Sequence, residues 1–123
     1  MSETYQEVNM IRVGLIGCGT VGSGVVELFK KNEELISKRT GSAIELCRVA
    51  DVKKEKALAL GLPEAIVTDD AYQIINDPSI QIVVELMGGL EPAYEYHKAA
   101  MEKGKHVVTA NKDLIAARGD EIY

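Results

Sequence analysis

Residues 11–24 read Ile11-Arg-Val-Gly-Leu-Ile-Gly17-Cys-Gly19-Thr-Val-Gly22-Ser-Gly24, an apolar run that leads into the pattern G-x-G-x-x-G-x-G. The apolar residues predict a buried parallel strand. Glycines at this spacing permit a tight turn and let the backbone approach a pyrophosphate with no Cβ in the way. A helix that follows directs its free N–H groups and the positive end of its dipole at the phosphates. The stretch therefore predicts a strand, a phosphate-binding loop and a helix.

The pyrophosphate-binding residues are expected in this loop and in the first turns of the helix. The glycines would form the cradle, and the start of the helix would add backbone N–H groups. The predicted set is Gly17, Gly19, Thr20, Val21, Gly22 and Gly24. A glycine-rich turn without a ligand is the alternative, but such a turn does not by itself need three glycines at this spacing.

The composition indicates one compact domain. The chain has 123 residues, of which 46% are hydrophobic and 27% are charged, values typical of a globular protein with a buried core. The formal net charge of -5 argues against nucleic acid or an anionic membrane surface as a partner. No apolar run is long enough to span a bilayer. We expect the polar residues 1–9 to be a flexible lead-in and residues 10–123 to form a dinucleotide-binding domain.

The cysteines and histidines do not suggest a reactive site. Cys18 and Cys47 form neither a C-x-x-C motif nor a metal-ligand set with the histidines, and a reducing cytoplasm fits this usage best. Neither His97 nor His106 has an evident partner in the sequence, so we expect neither to be catalytic.

Strand and helix patterns alternate along the chain. Strands are predicted over residues 11–16, 43–51, 65–67, 80–87 and 105–109. Helices are predicted from Thr20 to a stop at 39–41, over 54–60, from Asp69 or Asp70 to Ile75, over 91–103, and from Lys112 onward. We therefore predict an α/β fold, a Rossmann-type doubly wound parallel sheet of about five strands with helices on both faces.

Asp51 stands at the carboxyl end of the second predicted strand, where an acidic side chain accepts hydrogen bonds from the adenine ribose. An acid there favours NAD because it repels a 2′-phosphate, whereas Lys53 or Lys54 close by can pair with that phosphate. The expected cofactor is therefore NAD or NADP, with Asp51 and Lys53 in contact with it. A role for Asp51 as the cap of the following helix is the alternative.

Two further segments are predicted to reach the same edge of the sheet. Gly88 and Gly89 follow the fourth strand and suggest close backbone approach to the cofactor, with a simple turn as the alternative. Thr109 and Asn111 end the fifth strand, and the Asn111 side chain can hydrogen-bond the carboxamide or a ribose. Lys112 can supply a positive charge or a mobile proton near the nicotinamide. By spacing alone, such a lysine is more often a solvated residue of a first helical turn.

Three segments resemble the N-terminal cofactor domain of the homoserine dehydrogenase family. They are Gly-Leu-Ile-Gly-Cys-Gly-Thr-Val-Gly-Ser-Gly-Val over residues 14–25, Val-Val-Glu-Leu-Met-Gly-Gly over 83–89, and Val-Val-Thr-Ala-Asn-Lys over 107–112. The first segment is shared by many dehydrogenases, whereas the other two, in this order and spacing, are much more specific. The resemblance extends from Met10 to the end of the chain.

The resemblance implies reversible, NAD(P)-dependent interconversion of aspartate 4-semialdehyde and homoserine, on the route to threonine, methionine and isoleucine. It implies a catalytic role for Lys112 and a pyrophosphate cradle at Gly17, Gly19, Gly22 and Gly24. The family's substrate-binding and dimer-forming domain is absent from the chain. We therefore expect an inactive isolated domain and a homo-oligomeric full-length enzyme with a small-molecule substrate. The alternatives are another NAD(P)-dependent small-molecule dehydrogenase and a non-catalytic nucleotide-sensing module.

Overall fold

The computed structural model of the protein describes residues 9–37, 42–87 and 91–110. Within these ranges, strands alternate with helices. The strands are β1 (Asn9–Ile16), β2 (Ser42–Ala50), β3 (Val67–Thr68), β4 (Ile82–Glu85) and β5 (His106–Thr109). The helices are α1 (Thr20–Ser37), α2 (Lys54–Leu58), α3 (Tyr72–Ile75) and α4 (Ala93–Glu102), with a 3₁₀ turn over Glu64–Ile66.

The strands form one parallel sheet in the order β3-β2-β1-β4-β5. The chain begins at the centre with β1, moves outward through β2 and β3, and returns to the other side of β1 for β4 and β5. Open α/β sheets bind their ligands at the carboxyl ends of the strands where the strand order reverses. In this sheet the reversal lies between β1 and β4, which confirms the predicted Rossmann-type topology.

Hydrophobic side chains cover both faces of the sheet because successive residues of a strand point to opposite sides. On one face, Leu15 of β1 belongs to the same buried cluster as Val26 of α1. On the other face, Ile16 clusters with Ile74 of α3 and Ala100 of α4. Helices therefore pack on both faces, as predicted.

The short elements differ from the prediction. Residues 64–66 form the 3₁₀ turn rather than a strand, and β3 begins only where Val67 lies opposite Val49 of β2. α3 begins at Tyr72, two residues after Asp70, which with Asp69 was predicted as a cap for this helix. The Asp70 carboxylate accepts the N–H of Tyr72 (Oδ1 to N, 2.9 Å).

The longer elements agree with the prediction apart from their ends. β1 begins at Asn9 and so includes the last residue of the predicted lead-in. α2 ends at Leu58 rather than at 60, β4 covers 82–85 rather than 80–87, and α4 covers 93–102 rather than 91–103. The predicted stop of the first helix at 39–41 and the predicted helix from Lys112 lie outside the described residues. Within the described ranges, no helix is both long enough and apolar enough to cross a membrane.

Candidate cofactor site

The glycine loop after β1 is fastened to the strands on both sides of it. The N–H of Gly17 donates to the carbonyl of Ala50 at the end of β2 (2.8 Å). On the other side, the N–H of Leu86, just beyond β4, donates to the carbonyl of Ile16 (2.9 Å). The loop therefore starts at the point where the strand order reverses, which is where a doubly wound sheet binds its ligand.

Two of the loop glycines are required by the fold itself. Gly17 has φ +98°, and a Cβ there would lie 2.9 Å from the backbone nitrogen of Met87. A Cβ on Gly22 would overlap the carbonyl oxygen of Gly17, because the first turn of α1 packs directly on the loop. These positions therefore need glycine whether or not a ligand binds.

Gly19 is different, because the fold does not require a glycine there. Gly19 is exposed, and a Cβ on it would meet no atom of the described residues within 4 Å. The N–H of Ser23 bonds to the carbonyl of Gly19 (2.8 Å), so α1 begins directly after this residue. The N–H groups of Thr20, Val21 and Gly22 fall in the first turn, where a helix offers donors without intrahelical partners. Open space in front of free N–H groups is what a pyrophosphate needs.

Gly24 lies farther along α1, and a Cβ there would also meet no described atom within 4 Å. Its N–H falls beyond the first turn, where helix N–H groups bond to the carbonyl four residues earlier. Neither packing nor a free donor explains a glycine at this position.

Asp51 follows β2 and joins the end of that strand to the glycine loop. Its Oδ2 accepts the N–H of Cys18 (2.7 Å), and its Oδ1 accepts the N–H of Lys53 (2.8 Å). Lys53 is the N-cap residue of α2 and its own side chain makes no capping hydrogen bond, so Asp51 precedes the cap and bonds to its N–H. Each carboxylate oxygen retains a second lone pair that can accept a ribose hydroxyl.

A cavity of about 270 Å³ opens beside the loop. The backbone of Gly17 and Gly19 lines the cavity, and the side chains of Val52, Met87 and Tyr96 supply apolar surface. Tyr96 is held edge-on against Tyr72 of α3, with ring centroids 5.4 Å apart. A site with apolar walls and a few polar groups is typical for a small organic ligand.

The charged side chains that line this cavity are Asp51, Asp69 and Lys56. Among the described residues two acids face one base, so they contribute an excess of negative charge to this wall. Lys53, the base predicted to contact the cofactor, has an exposed side chain and does not belong to the lining, whereas Lys56 does.

Glu85, the last residue of β4, is fully buried and, among the described residues, accepts hydrogen bonds from three groups. His97 Nε2 lies 2.8 Å from Oε1, Thr109 Oγ1 donates to the same oxygen (2.8 Å), and the N–H of Met87 donates to Oε2 (2.8 Å). Burial raises the pKa of Glu85, but the hydrogen bonds from His97, Thr109 and Met87 outweigh it and hold the pKa below its usual value. An ionised carboxylate only accepts hydrogen bonds, so His97 donates from Nε2.

The expectation that His97 has no partner was therefore wrong, since it pairs with Glu85. A charged residue inside the β-branched run of β4 was the available signal, because buried carboxylates are almost always paired. The other members of the site that sequence reasoning missed include Val52, Lys56, Asp69, Met87 and Tyr96. Of the predicted residues, Thr109 lies at the end of β5, while Gly88, Gly89, Asn111 and Lys112 lie outside the described residues.

A second cavity, of about 620 Å³, lies at the opposite edge of the sheet, beside the starts of β4 and β5. Lys105 is buried at this edge, and its Nζ donates to the carbonyls of Asp77 (2.6 Å) and Ile80 (2.7 Å). This cavity is larger but lies away from the carboxyl ends of the strands, so we assign the cofactor site to the smaller one.

Comparison with known proteins agrees with this site. A family model described as the NAD-binding domain of homoserine dehydrogenase matches residues 17–123. A homoserine dehydrogenase of Methylobacillus glycogenes is 51% identical over 106 residues, which are 86% of this chain and 26% of that enzyme. The crystal structure of a homoserine dehydrogenase from Thiobacillus denitrificans superposes with a TM-score of 0.84 at 48% identity, over 96% of this chain and 27% of that one.

A more distant likeness is to levoglucosan dehydrogenase in complex with NADH, with a TM-score of 0.65 and 27% identity over 82% of this chain and 27% of that one. The chain spans 26% of the length of the curated relatives such as the Methylobacillus enzyme. The match over residues 17–123 includes the glycine loop and the ends of β2, β4 and β5. The chain belongs to the homoserine dehydrogenase family and forms that family's domain for a nicotinamide cofactor.

Proposed function

We propose that this domain binds NAD or NADP for a homoserine dehydrogenase, which interconverts aspartate 4-semialdehyde and homoserine. The observation that carries the proposal is the meeting of the glycine loop, Asp51 and the ends of β4 and β5 at one edge of the sheet. The relatives named homoserine dehydrogenase share this part of their length with the chain.

Different residues of the site bind different parts of the cofactor. The open side of Gly19 and the N–H groups of Thr20 and Val21 receive the pyrophosphate. Asp51 accepts hydrogen bonds from the adenine ribose, and the exposed side chain of Val52, of which 82% is accessible, packs on the adenine ring. Gly88, Gly89 and Asn111 lie outside the described residues, and their proposed contact with the nicotinamide half rests on their positions in the sequence after β4 and β5. When bound, the nicotinamide supplies or accepts the hydride.

Lys112 manages the proton that accompanies hydride transfer. Reduction of an aldehyde places negative charge on its oxygen, and a lysine ammonium beside that oxygen stabilises the charge and donates the proton. In the reverse direction, the amine takes the proton from the alcohol. Lys112 lies outside the described residues, so its role rests on its place two residues beyond Ala110 and on the family resemblance.

The experiment that tests this function measures homoserine-dependent reduction of NAD and NADP by the whole protein that contains the domain. Lys112→Ala is expected to lower kcat by roughly 100-fold or more, with the KM for the cofactor changed by less than about threefold. Lys112→Arg is the matched variant, because it keeps the positive charge but does not give up a proton. If both variants turn over at the wild-type rate, Lys112 has no part in catalysis.

We infer that NAD is preferred to NADP. The support is the cavity wall, where the carboxylates of Asp51 and Asp69 outnumber the ammonium group of Lys56 and repel the 2′-phosphate. Lys56→Met should weaken NADPH binding more than NADH binding, because only NADPH carries a 2′-phosphate for the lysine to pair with. Equal losses for the two cofactors would remove Lys56 from the discrimination.

For the protein's setting we propose a small-molecule substrate, a homo-oligomeric full-length enzyme, and a cytoplasmic location. The support for the location is that Cys18 and Cys47 are both free and buried, as is common in a reducing compartment. Sedimentation of the whole protein would test the oligomeric state.

A further inference from the structure

The buried carboxylate of Glu85 accepts hydrogen bonds from three separate parts of the sheet edge where the cofactor is proposed to bind, which we call the cofactor edge. The donors to Glu85 come from Met87 just beyond β4, from His97 in α4 and from Thr109 at the end of β5. The side chains of both Glu85 and His97 are 0% exposed. A charge removed from water in this way persists only while its donors stay in place, so the three parts are tied to a common point.

The positions of these donors along the chain connect the hydrogen bonds of Glu85 to the cofactor site. Met87 immediately precedes residues 88–90, and His97 lies in the helix that follows them. Met87 lines the cavity beside the glycine loop, and His97 follows Tyr96, which lines the same cavity. The third contact reaches Thr109, the last residue of β5.

We propose that Glu85 is a positioning residue for the cofactor site, whose carboxylate holds Met87, His97 and Thr109 in fixed positions relative to one another. The inference rests on the proposed function, because it assigns a purpose to hydrogen bonds at the edge of the sheet where the cofactor is proposed to bind. Glu85 does not need to touch the cofactor. It acts through the backbone of Met87 and through the side chains of His97 and Thr109.

The discriminating substitution is Glu85→Gln, which keeps the shape of the side chain. The amide retains one acceptor oxygen, but its NH₂ group faces a group that donates in the wild type. At least one of the three hydrogen bonds is therefore replaced by a contact between two donors. This contact lowers the free energy of unfolding and displaces the residue that donates the lost bond. Loss of stability alone would not identify a positioning role, so a matched control is needed.

Lys105→Met supplies that control. Lys105 is also buried, donates two hydrogen bonds and also joins β5 to the neighbourhood of β4, but at the opposite edge of the sheet. Methionine keeps the aliphatic stem and removes the donors. This variant loses buried hydrogen bonds comparable to those of Glu85 and leaves the cofactor edge unchanged.

The experiment is calorimetric titration of the 123-residue chain with NADH, together with thermal unfolding of each variant. Glu85→Gln is expected to raise the Kd for NADH by roughly fivefold or more, while Lys105→Met with a similar loss of Tm changes the Kd by less than about twofold. Equal changes in Kd for the two variants, or no change for Glu85→Gln, would overturn the positioning role. Failure of the wild-type chain to bind NADH would instead count against the proposed function.

If Glu85→Gln does not fold, the pair His97→Met and His97→Gln answers the same question. Methionine removes the donor to Glu85, whereas the glutamine amide places an N–H near the position of Nε2. We expect His97→Met to weaken NADH binding by roughly fivefold and His97→Gln to restore most of the loss. Equal NADH affinity in these two variants would refute the positioning role.

Discussion

The carboxylate of Asp51 accepts the backbone N–H of Cys18, with 2.7 Å between Oδ2 and N, although the two residues lie 33 positions apart in the chain. This hydrogen bond joins the end of β2 to the middle of the glycine loop. The same carboxylate lines the cavity in which the ribose is proposed to bind. Asp51 therefore shapes the loop and is also available to contact the cofactor.

Asp51→Asn is expected to affect both stability and cofactor choice. The amide can satisfy only one of the two N–H groups, so the free energy of unfolding should fall by about 1–3 kcal/mol. Loss of the negative charge should also narrow the difference in Kd between NADH and NADPH. Denaturant unfolding and parallel titrations with the two cofactors measure these effects.

Asp69→Asn is the control for that prediction, because Asp69 lines the same cavity and its side chain is exposed. This substitution should strengthen NADPH binding, since it also removes a negative charge, and it should leave the stability close to that of the wild type. A stability loss equal to that of Asp51→Asn would argue against the importance of the bond to Cys18.

Alanine substitutions at Gly19 and Gly22 should have different effects: the first should weaken NADH binding, and the second should lower stability. Gly19→Ala should change the free energy of unfolding by less than about 0.5 kcal/mol, because its Cβ would point into open space. It should nevertheless raise the Kd for NADH by roughly tenfold or more, because that space is where the pyrophosphate is proposed to lie. Calorimetry on the folded variant tests this directly.

Gly22→Ala is the partner of that experiment. Its Cβ would overlap the carbonyl oxygen of Gly17, so we expect a loss of roughly 1–3 kcal/mol in stability. If Gly19→Ala proves to be the destabilising substitution and Gly22→Ala the harmless one, the geometry described for the loop is wrong.

Acid should destabilise the domain partly through Glu85. The folded state holds the pKa of this residue below its usual value of about 4.3. The unfolded chain therefore binds the proton first, and the stabilisation that Glu85 contributes above that value is lost as the pH falls through the folded pKa. The free energy of unfolding should decrease as the pH is lowered over roughly pH 5 to 3.

Glu85→Gln should make that decrease shallower, since the amide does not titrate. Denaturant unfolding at a series of pH values would compare the two slopes. The half-buried Asp77, whose pKa is also lowered, by the hydrogen bonds that Ser79 donates to it, contributes equally in both proteins and cancels in the difference. Identical slopes would mean that folding does not shift the pKa of Glu85.

The strand, loop and helix over residues 9–37 could be predicted because their signals are local. The apolar run, the glycine spacing and the helical periodicity all lie within one continuous segment, and they agree with one another. The parallel sheet with helices on both faces followed from the alternation of strands and helices, because parallel strands need helical crossovers. The same reasoning placed Asp51 and Thr109 at the correct edge.

The contacts within the site were harder to predict because they join residues distant in sequence. The bonds of Glu85 reach 12 residues ahead to His97 and 24 ahead to Thr109, and no local pattern specifies which side chains meet. Lys56 was missed in favour of Lys53 because the choice depends on the rotation of a short helix, α2. β3 was misplaced because a two-residue strand has no measurable periodicity.

The most direct test of the central claim is a pair of calorimetric titrations of the 123-residue chain, with NADH and with NADPH, on material shown by circular dichroism to be folded. We expect saturable binding of one nucleotide per chain, tighter for NADH, and weakened by Gly19→Ala without loss of structure. A folded chain that binds neither nucleotide would contradict the assignment of the cofactor site to this edge of the sheet.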